Sequence, residues 1–457
     1  MTPSQATQPT PPAQPAPPWR VEPGQVASAG AGLVLLAAGA LLGRADAALL
    51  GVPIVLGAAH ALVRRPHDRV RVDVRPTGSP ERPLAAELAV TAPVTADAVR
   101  LRADRPGHRP AEALVAVDGT RELRVTAASV RTGGQPLFLV EHQGVGSGAA
   151  TVGLPGRCEP EQVLVLPAGR RLGALPLPGR LRGLTGQHES RRPGSGGGLR
   201  DVHPFAPGDA PRQVDWKVTA RRSPALDQLY VRRTTALGEA VVTVVVDSRD
   251  DVGPDPLTWA GTPAVRADDA TSLDLARQAA AALAEAYLGG GDRVGIEDLG
   301  VRRRAVRSGT GRRQLERVRQ QLAWLRPEGD PPTRVRPPRI GAGALVYVLS
   351  TFLDPEAAAM AATWRRTGHL VVAVDVLPDL RLGDLDTRRR LALRLVLGER
   401  DDRLADVRAA GVDVVRWVDG TDAVTRLQAM ARAAHRGRPG ARSGAGAGAG
   451  ARAGAGG

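Results

Sequence analysis

The sequence is almost devoid of lysine: Lys217 is the only one among 62 lysines and arginines. The two cations are not interchangeable at a constrained site, because an ammonium is a compact donor and a guanidinium is a planar fork. Lys217 also lies in the densest polar stretch of the chain, residues 207–221. Chance placement is one interpretation of this position. The other is that residues 207–221 form a structured polar site and the centre of function.

Cysteine and aromatic residues are scarce as well. Cys158 is the only cysteine, which excludes an intrachain disulfide and a zinc site built from several cysteines. Aromatic residues make up 3% of the chain, so its cores must consist of valine, leucine and alanine. The net charge of +15 favours anionic lipid, nucleic acid or an acidic protein as a partner. No nucleic-acid-binding module accompanies that charge, so we expect no specific nucleic-acid partner.

The sequence also lacks the motifs of nucleotide-binding sites and of nucleophilic catalysis. The glycine-rich segment 194–198 is followed by Leu199, whereas a phosphate loop requires lysine and then serine or threonine. The catalytic-loop signature of protein kinases is missing too. His188 and His203 have no obvious matching serine or cysteine. The sequence therefore predicts no catalytic residue.

Two apolar runs, 26–42 and 47–63, predict a transmembrane helical hairpin. Each run is near the lower length limit for a membrane-spanning helix, and small residues would let the two helices pack closely. The basic flank 64–69 favours a cytoplasmic C-terminal side. We therefore expect a plasma-membrane protein with both termini and its soluble domains in the cytoplasm. A soluble helical pair is the alternative, and a signal peptide is disfavoured because no basic region precedes the first run.

The rest of the chain divides by pattern into further segments. Short strand-like segments separated by turns predict a β-sandwich-like domain over residues 69–180. Residues 181–239 combine a linker with the polar stretch. Strands and helices alternate over residues 240–435, which predicts a doubly wound, Rossmann-like α/β domain with a mostly parallel sheet. The tails 1–25 and 436–457 are low in complexity and are predicted to be disordered.

Candidate metal ligands follow two strands of the predicted α/β domain. Asp247 and Asp251 come after the apolar strand 241–246, and Ser350 ends the strand 344–350. Ligands of open α/β sheets bind beyond the carboxyl ends of the strands, and Mg²⁺ prefers oxygen ligands. The alternative is that the acidic residues only cap a solvated turn.

The polar stretch carries the candidate partner-binding residues. They are Pro207, Gly208, Asp209, Arg212, Asp215, Trp216, Lys217 and Arg221. A turn is expected at Gly208, and Trp216 is a large apolar anchor for a core or an interface. The alternative to partner binding is a salt-bridged network that docks the segment on the α/β domain. In either case Lys217 is expected to pair with Asp209 or Asp215 rather than to perform catalysis.

Residues 205–221 resemble the signature of a bacterial family called domain of unknown function 58. The shared features are Pro-Gly-Asp, an arginine before a hydrophobic-Asp-Trp-Lys, and Ala-Arg. Later segments at 229–232, 291–295 and 308–315 are also similar, and the resemblance extends over about residues 183–420. It implies a von Willebrand factor A-like domain that follows two membrane helices and a β-rich segment. It also implies a partnership with AAA+ ATPases of the MoxR type.

Von Willebrand A domains often bind a divalent cation through Asp-x-Ser-x-Ser together with a distant threonine and a distant aspartate. Asp247 matches the first position, but Arg249 and Asp251 replace the serines. Ser350 is followed by Thr351, where the resembling family usually has aspartate. A guanidinium at Arg249 would oppose a cation. The resemblance therefore implies a degenerate site without bound metal, and we expect no cofactor.

These observations together favour a membrane-anchored, non-enzymatic interaction or assembly factor. The cytoplasmic α/β domain would bind other proteins, with a MoxR-type AAA+ ATPase as the partner that the resemblance implies. Three alternatives remain open at this point. They are a divalent-cation-dependent protein binder, a metal-dependent hydrolase, and an electrostatic binder of lipid or nucleic acid.

Overall fold

A computed structural model of the chain describes residues 19–78, 84–183, 186–194, 198–300, 305–328, 337–418 and 421–436. The chain forms two compact units. The first is Met1–Ser129 with Gln135–Val163, and the second is Val130–Gly134 with Leu164–Gly457. Most of the two tails predicted to be disordered lies outside the described residues.

Two apolar helices follow a short strand at the start of the first unit. The strand is β1 (Trp19–Val21), and the helices are α1 (Pro23–Leu41) and α2 (Ala45–Val63). Both helices are long and apolar enough to cross a membrane. They approach closely at Gly39, where an added Cβ would collide with the backbone nitrogen of Ala48. Residues 19–25 were predicted to belong to a disordered tail, but β1 pairs with a later strand and α1 begins at Pro23.

Short strands make up the remainder of the first unit, and β7 and β11 extend into the second. They are β2 (Arg71–Pro76), β3 (Ala85–Thr91), β4 (Ala96–Asp104), β5 (Ala111–Ala116), β6 (Thr120–Thr126), β7 (Gly133–Pro136), β8 (Leu139–Gly146), β9 (Thr151–Gly153), β10 (Gly156–Cys158) and β11 (Gln162–Val165). One antiparallel sheet has the order β1-β9-β8-β4-β5, with β10 also paired to β8. A second antiparallel sheet has the order β2-β3-β6. The β-rich character predicted for this region is confirmed.

An antiparallel sheet occupies much of the segment that was predicted as linker. Its strands are β12 (His188–Pro193), β13 (Leu199–Pro204) and β14 (Tyr230–Gly238), with β14 in the middle. The helix α3 (Trp216–Arg222) lies between β13 and β14 in the chain. The sequence did not predict β12 and β13, which flank the glycine-rich segment 194–198, because their pairing with β14 is a long-range contact that local propensity does not report.

The remaining elements alternate between helix and strand as the sequence predicts. They are β15 (Val241–Val246), α4 (Ser272–Gly289), β16 (Arg293–Asp298), β17 (Val306–Gly309), α5 (Arg312–Trp324), β18 (Leu345–Ser350), α6 (Pro355–Arg366), β19 (Leu370–Asp375), α7 (Thr387–Ala409), β20 (Asp413–Arg416) and α8 (Thr421–Arg436). Their sheet has the order β17-β16-β15-β18-β19-β20. Neighbouring strands are parallel except at β17, which is antiparallel to β16.

Helices cover both faces of this six-stranded sheet. Val242, Val244 and Val246 of β15 point into a core shared with α4, α5 and α8. Val245 points into the opposite core, which includes α6 and α7. A strand that is buried on both faces has apolar residues at successive positions, which explains the continuous apolar sequence of β15. The mixed α/β fold is confirmed.

The helix α7 differs from its prediction. The sequence predicts two helices, 388–397 and 402–410, whereas the structure has one helix that continues through Gly398. A glycine inside a helix costs about 1 kcal/mol relative to alanine. Burial of Leu393 before it and of Leu404 after it offsets that cost.

Candidate functional site

Two polar sites lie in the second unit, and the first is at the carboxyl edge of the six-stranded sheet. The chain passes from β15 to one side of the sheet and later returns to β18 on the other side, so the strand order reverses between these two neighbours. A reversal of this kind creates a crevice where open α/β sheets bind their ligands. Asp247 directly follows β15, and Ser350 is the last residue of β18. The structure therefore brings these two predicted residues together.

We name the polar group at this edge the carboxyl-edge cluster; its members are Asp247, Arg249, Asp250, Ser350, Thr351, Asp354 and Glu356. Its central side chain is Arg249, whose side chain is only 9% exposed. The guanidinium donates to both carboxylate oxygens of Asp247, with 2.7 Å from Nε to Oδ1 and 2.7 Å from Nη2 to Oδ2. Its Nη1 donates to Oε2 of Glu356 at 2.7 Å, and its Nη2 lies 2.9 Å from Oδ2 of Asp354. One arginine therefore joins three carboxylates.

Two hydroxyl groups complete the cluster from the end of β18. The Ser350 hydroxyl donates to Oδ2 of Asp247 at 2.8 Å, and the Thr351 hydroxyl donates to Oδ2 of Asp250 at 2.7 Å. Phe352, the next residue, is buried and has a positive φ of 55°. That backbone conformation is strained for a bulky residue, and strained residues of this kind cluster at functional sites.

The third candidate ligand, Asp251, does not join the cluster. Its carboxylate accepts a hydrogen bond from the Leu273 N–H at 3.3 Å and lies 3.6 Å from Arg131. The carboxylate that faces Asp247 is instead that of Asp250. The sequence could not separate these adjacent aspartates, because the choice depends on the path of the loop after β15.

The surroundings of the cluster shift the pKa values of two of its members, Asp250 and Arg249. Burial, reinforced by the negative charge of Asp247, raises the pKa of Asp250 to about 7. Burial alone would lower the pKa of Arg249, but the hydrogen bonds and charges of its carboxylate partners raise it above its ordinary value. The guanidinium is therefore a permanent cation, whereas Asp250 exchanges its proton near neutral pH.

These residues do not fit a divalent cation in the arrangement that they adopt. Both oxygens of Asp247 are already bonded to Arg249, and an added metal ion would lie beside a guanidinium of the same sign. Within the described ranges, no group of three or more histidine, cysteine, aspartate or glutamate residues is arranged to hold a metal. The absence of bound metal remains a prediction about the protein in solution.

The second site is the signature block, residues 207–221. Gly208 has a φ of 97°, a conformation open to glycine, and it forms the predicted turn. Asp209 accepts hydrogen bonds from the Ala206 N–H at 3.0 Å and from Arg233 at 3.2 Å. The Ala206 N–H and then Arg233 hold the pKa of Asp209 below its usual range. The acid of the Pro-Gly-Asp motif thus fixes the turn against β14.

Asp215 starts α3 and holds it on the same strand. Its carboxylate caps the helix by accepting from the Val218 N–H at 3.1 Å, and its own N–H donates to the Tyr230 carbonyl at 2.8 Å. The buried Thr219 hydroxyl accepts from the Tyr230 N–H at 3.0 Å. The nearest cation to Asp215 is Arg232, at 3.8 Å. The block therefore docks on the antiparallel sheet through β14.

The pairing predicted for Lys217 is wrong. Asp209 pairs with Arg233 and Asp215 with Arg232, while Lys217 makes no ion pair with any described residue. Trp216 is 63% exposed, so of the two roles considered for it, core or interface, the core role is excluded.

Four exposed side chains of the block remain after its acids are paired. Lys217 and Arg221 lie on the side of α3 opposite the buried Thr219, Trp216 is exposed at the start of the helix, and Arg212 precedes it. Within the part of the chain that the structure describes, none of these three cations makes an ion pair. Pro207 belongs to the turn. The block thus presents an exposed aromatic ring together with three exposed cations.

Residues 201–382 match the model of a family described as Protein of unknown function DUF58. The matched region contains both the signature block and the carboxyl-edge cluster. No curated protein matches the chain.

Proposed function

We propose that the protein is a membrane-anchored, non-enzymatic interaction factor that binds a partner protein through the signature block. The single observation that carries this proposal is Trp216, a large apolar side chain left exposed among three cations without ion pairs. Tryptophan is enriched among the residues that dominate protein interfaces, whereas an exposed tryptophan contributes little to its own fold. The partner would offer an apolar pocket bordered by acidic side chains.

The architecture supports a von Willebrand A-like assignment for the α/β region. The strand order, the antiparallel edge strand β17 and the helices on both faces agree with a Rossmann-like sheet of this kind. In the first unit, the two antiparallel sheets support a β-sandwich-like spacer. Neither assignment implies an enzyme, because function depends on the site and not on the fold.

Membrane anchoring is supported by α1 and α2. Each has 19 residues and presents mostly exposed apolar side chains, an arrangement that is stable in a bilayer and costly in water. The basic residues after α2, among them Arg64 and Arg65, favour a cytoplasmic location for the segment that follows. A hairpin then leaves both termini and both soluble regions in the cytoplasm.

A MoxR-type AAA+ ATPase is the partner that we propose. The test uses the full chain purified in mild detergent from its native membranes, with and without Trp216→Ala, followed by quantitative mass spectrometry. We expect such an ATPase to co-purify with the wild type and to fall roughly tenfold or more in the variant. The matched control is Trp324→Ala, which truncates a tryptophan that is 53% exposed on α5.

Two outcomes would contradict the proposal. Equal recovery of the ATPase with wild type and Trp216→Ala would show that the signature block is not the binding surface. Recovery of no AAA+ ATPase by either chain would reject the partner. The same purification with added Mg²⁺ or with a chelator tests the alternative of a divalent-cation-dependent binder. That alternative requires the amount of recovered partner to differ between the two conditions.

A further inference from the structure

The first half of α7 extends beyond the packed core of its domain. Between residues 387 and 399 only Leu393 is buried, and Leu397 is partly buried. Leu391 is 51% exposed and Leu395 is 66% exposed. The two lie one helical turn apart, on the side of the helix opposite the buried Leu393.

The two leucines begin a regular stripe of exposed positions that continues with Gly398, Asp402, Ala405 and Ala409. The stripe consists of residues 391, 395, 398, 402, 405 and 409, all exposed and separated alternately by four and three positions. This is the spacing with which one helix contacts another in a coiled coil. Gly398 lies near the middle of the stripe, and no atom comes within 4 Å of the place where its Cβ would be. A second helix can therefore approach closely at Gly398.

Charge along the outward side of α7 is divided into a basic and an acidic half. Arg388 and Arg394 flank the leucines, whereas Asp402 and Asp406 belong to the second half. None of these four side chains forms an ion pair with any residue in the described ranges. An antiparallel copy of the same helix, centred on Gly398, would place Asp402 opposite Arg394. It would place Asp406 on the same flank as Arg388, two positions (about 3 Å) along the axis from it. The face is complementary to itself, and it is not complementary to a uniformly anionic bilayer.

We propose that two copies of the chain associate through this face of α7, antiparallel and centred on Gly398. Leu391 of one copy then packs against Ala405 of the other, and the two Gly398 residues lie together at the two-fold axis. Such a contact is isologous, as is usual for dimers of identical chains. It uses no residue of the signature block, so it leaves the proposed partner surface free.

Cysteine cross-linking in native membranes tests this arrangement, because the chain has only Cys158 to remove. In a Cys158→Ser background, Gly398→Cys should form disulfide-linked dimers under mild oxidation, since Cα atoms about 4–7 Å apart can be bridged. Leu391→Cys and Ala405→Cys, co-expressed on chains with different tags, should cross-link to each other. Neither should cross-link to itself. Ala392→Cys, exposed on another side of the helix, is the matched control.

A charge exchange provides a second, independent readout. Arg394→Asp should lower the cross-linked fraction of Gly398→Cys severalfold, and adding Asp402→Arg in the same chain should restore it. Cross-linking of Leu391→Cys to itself would overturn the antiparallel arrangement. If no cysteine of the stripe cross-links while the circular dichroism spectrum is unchanged, self-association through α7 is overturned. The exposed face of α7 would then contact lipid or another protein.

Discussion

Asp247 and Arg249 form a buried two-point ion pair in which both carboxylate oxygens accept from one guanidinium at 2.7 Å. Such fork-like pairs are stronger and more directional than single-point contacts. The same guanidinium reaches Asp354 and Glu356 at the start of α6. Arg249 thereby fastens the loop after β15 to the beginning of α6, at the edge where related folds place their ligands.

Removal of this arginine should destabilise the α/β domain. Arg249→Ala leaves three carboxylates without their common cation, and loss of one partner of a buried ion pair costs about 3–5 kcal/mol. Urea unfolding of the detergent-solubilised chain, followed by tryptophan fluorescence, measures the change. The control is Arg416→Ala, which removes an exposed pair with Asp379 and should cost less than about 1 kcal/mol. Equal effects of the two substitutions would contradict the role given to Arg249.

The wild-type cluster should not respond to divalent cations, whereas a variant without the guanidinium should. In Arg249→Ser the oxygens of Asp247, Ser350 and Asp250 become available, and oxygen ligands of this kind suit Mg²⁺. Calorimetric titration of the full chain should show Mg²⁺ binding only in the variant, and Mg²⁺ should raise the variant's unfolding temperature. Micromolar Mg²⁺ binding by the wild type would show that Arg249 does not occupy the place of a cation.

Protonation of Asp250 should make the domain more stable in mild acid. Its pKa is about 7 in the folded chain and about 4 when unfolded, so the folded state binds the extra proton between these values. The contribution is therefore largest near pH 4, decreases as the pH rises towards 7, and is absent above. Relative to Asp250→Asn, which cannot titrate, the wild type should gain about 2–3 kcal/mol between pH 8 and pH 5. Parallel pH profiles for the two proteins would disprove the shift.

Within the signature block, the stability effects of neighbouring residues should differ sharply. Asp215→Ala removes the cap of α3 and should cost about 1 kcal/mol. Lys217→Arg and Lys217→Ala change an exposed side chain without an ion pair to any described residue, so each should stay within about 0.5 kcal/mol of wild type. Denaturant midpoints measure both effects. If Lys217→Arg retains stability and also partner binding, only the charge of the lone lysine matters.

Part of this picture was accessible from the residues alone. The apolar runs predicted α1 and α2, and the strand 241–246 was predicted at its observed bounds, because local hydrophobic pattern and length determine such elements. Prediction from the sequence failed for elements whose formation depends on contacts with residues distant in the chain. The strands β12 and β13, which flank a glycine-rich segment, were not predicted, and the helix α7 was predicted as two helices separated at Gly398.

The candidate site shows the same division. The sequence located Asp247, Ser350 and the opposing Arg249, and it placed the signature block at the centre of the polar chemistry. Only the tertiary structure decided that Glu356, more than a hundred positions away, holds Arg249, and that Asp250 rather than Asp251 faces the cluster. It also left Trp216 exposed and Lys217 without an ion pair. Composition and periodicity report which residues are buried or polar, but the pairing of side chains depends on how parallel strands bring distant loops to one edge.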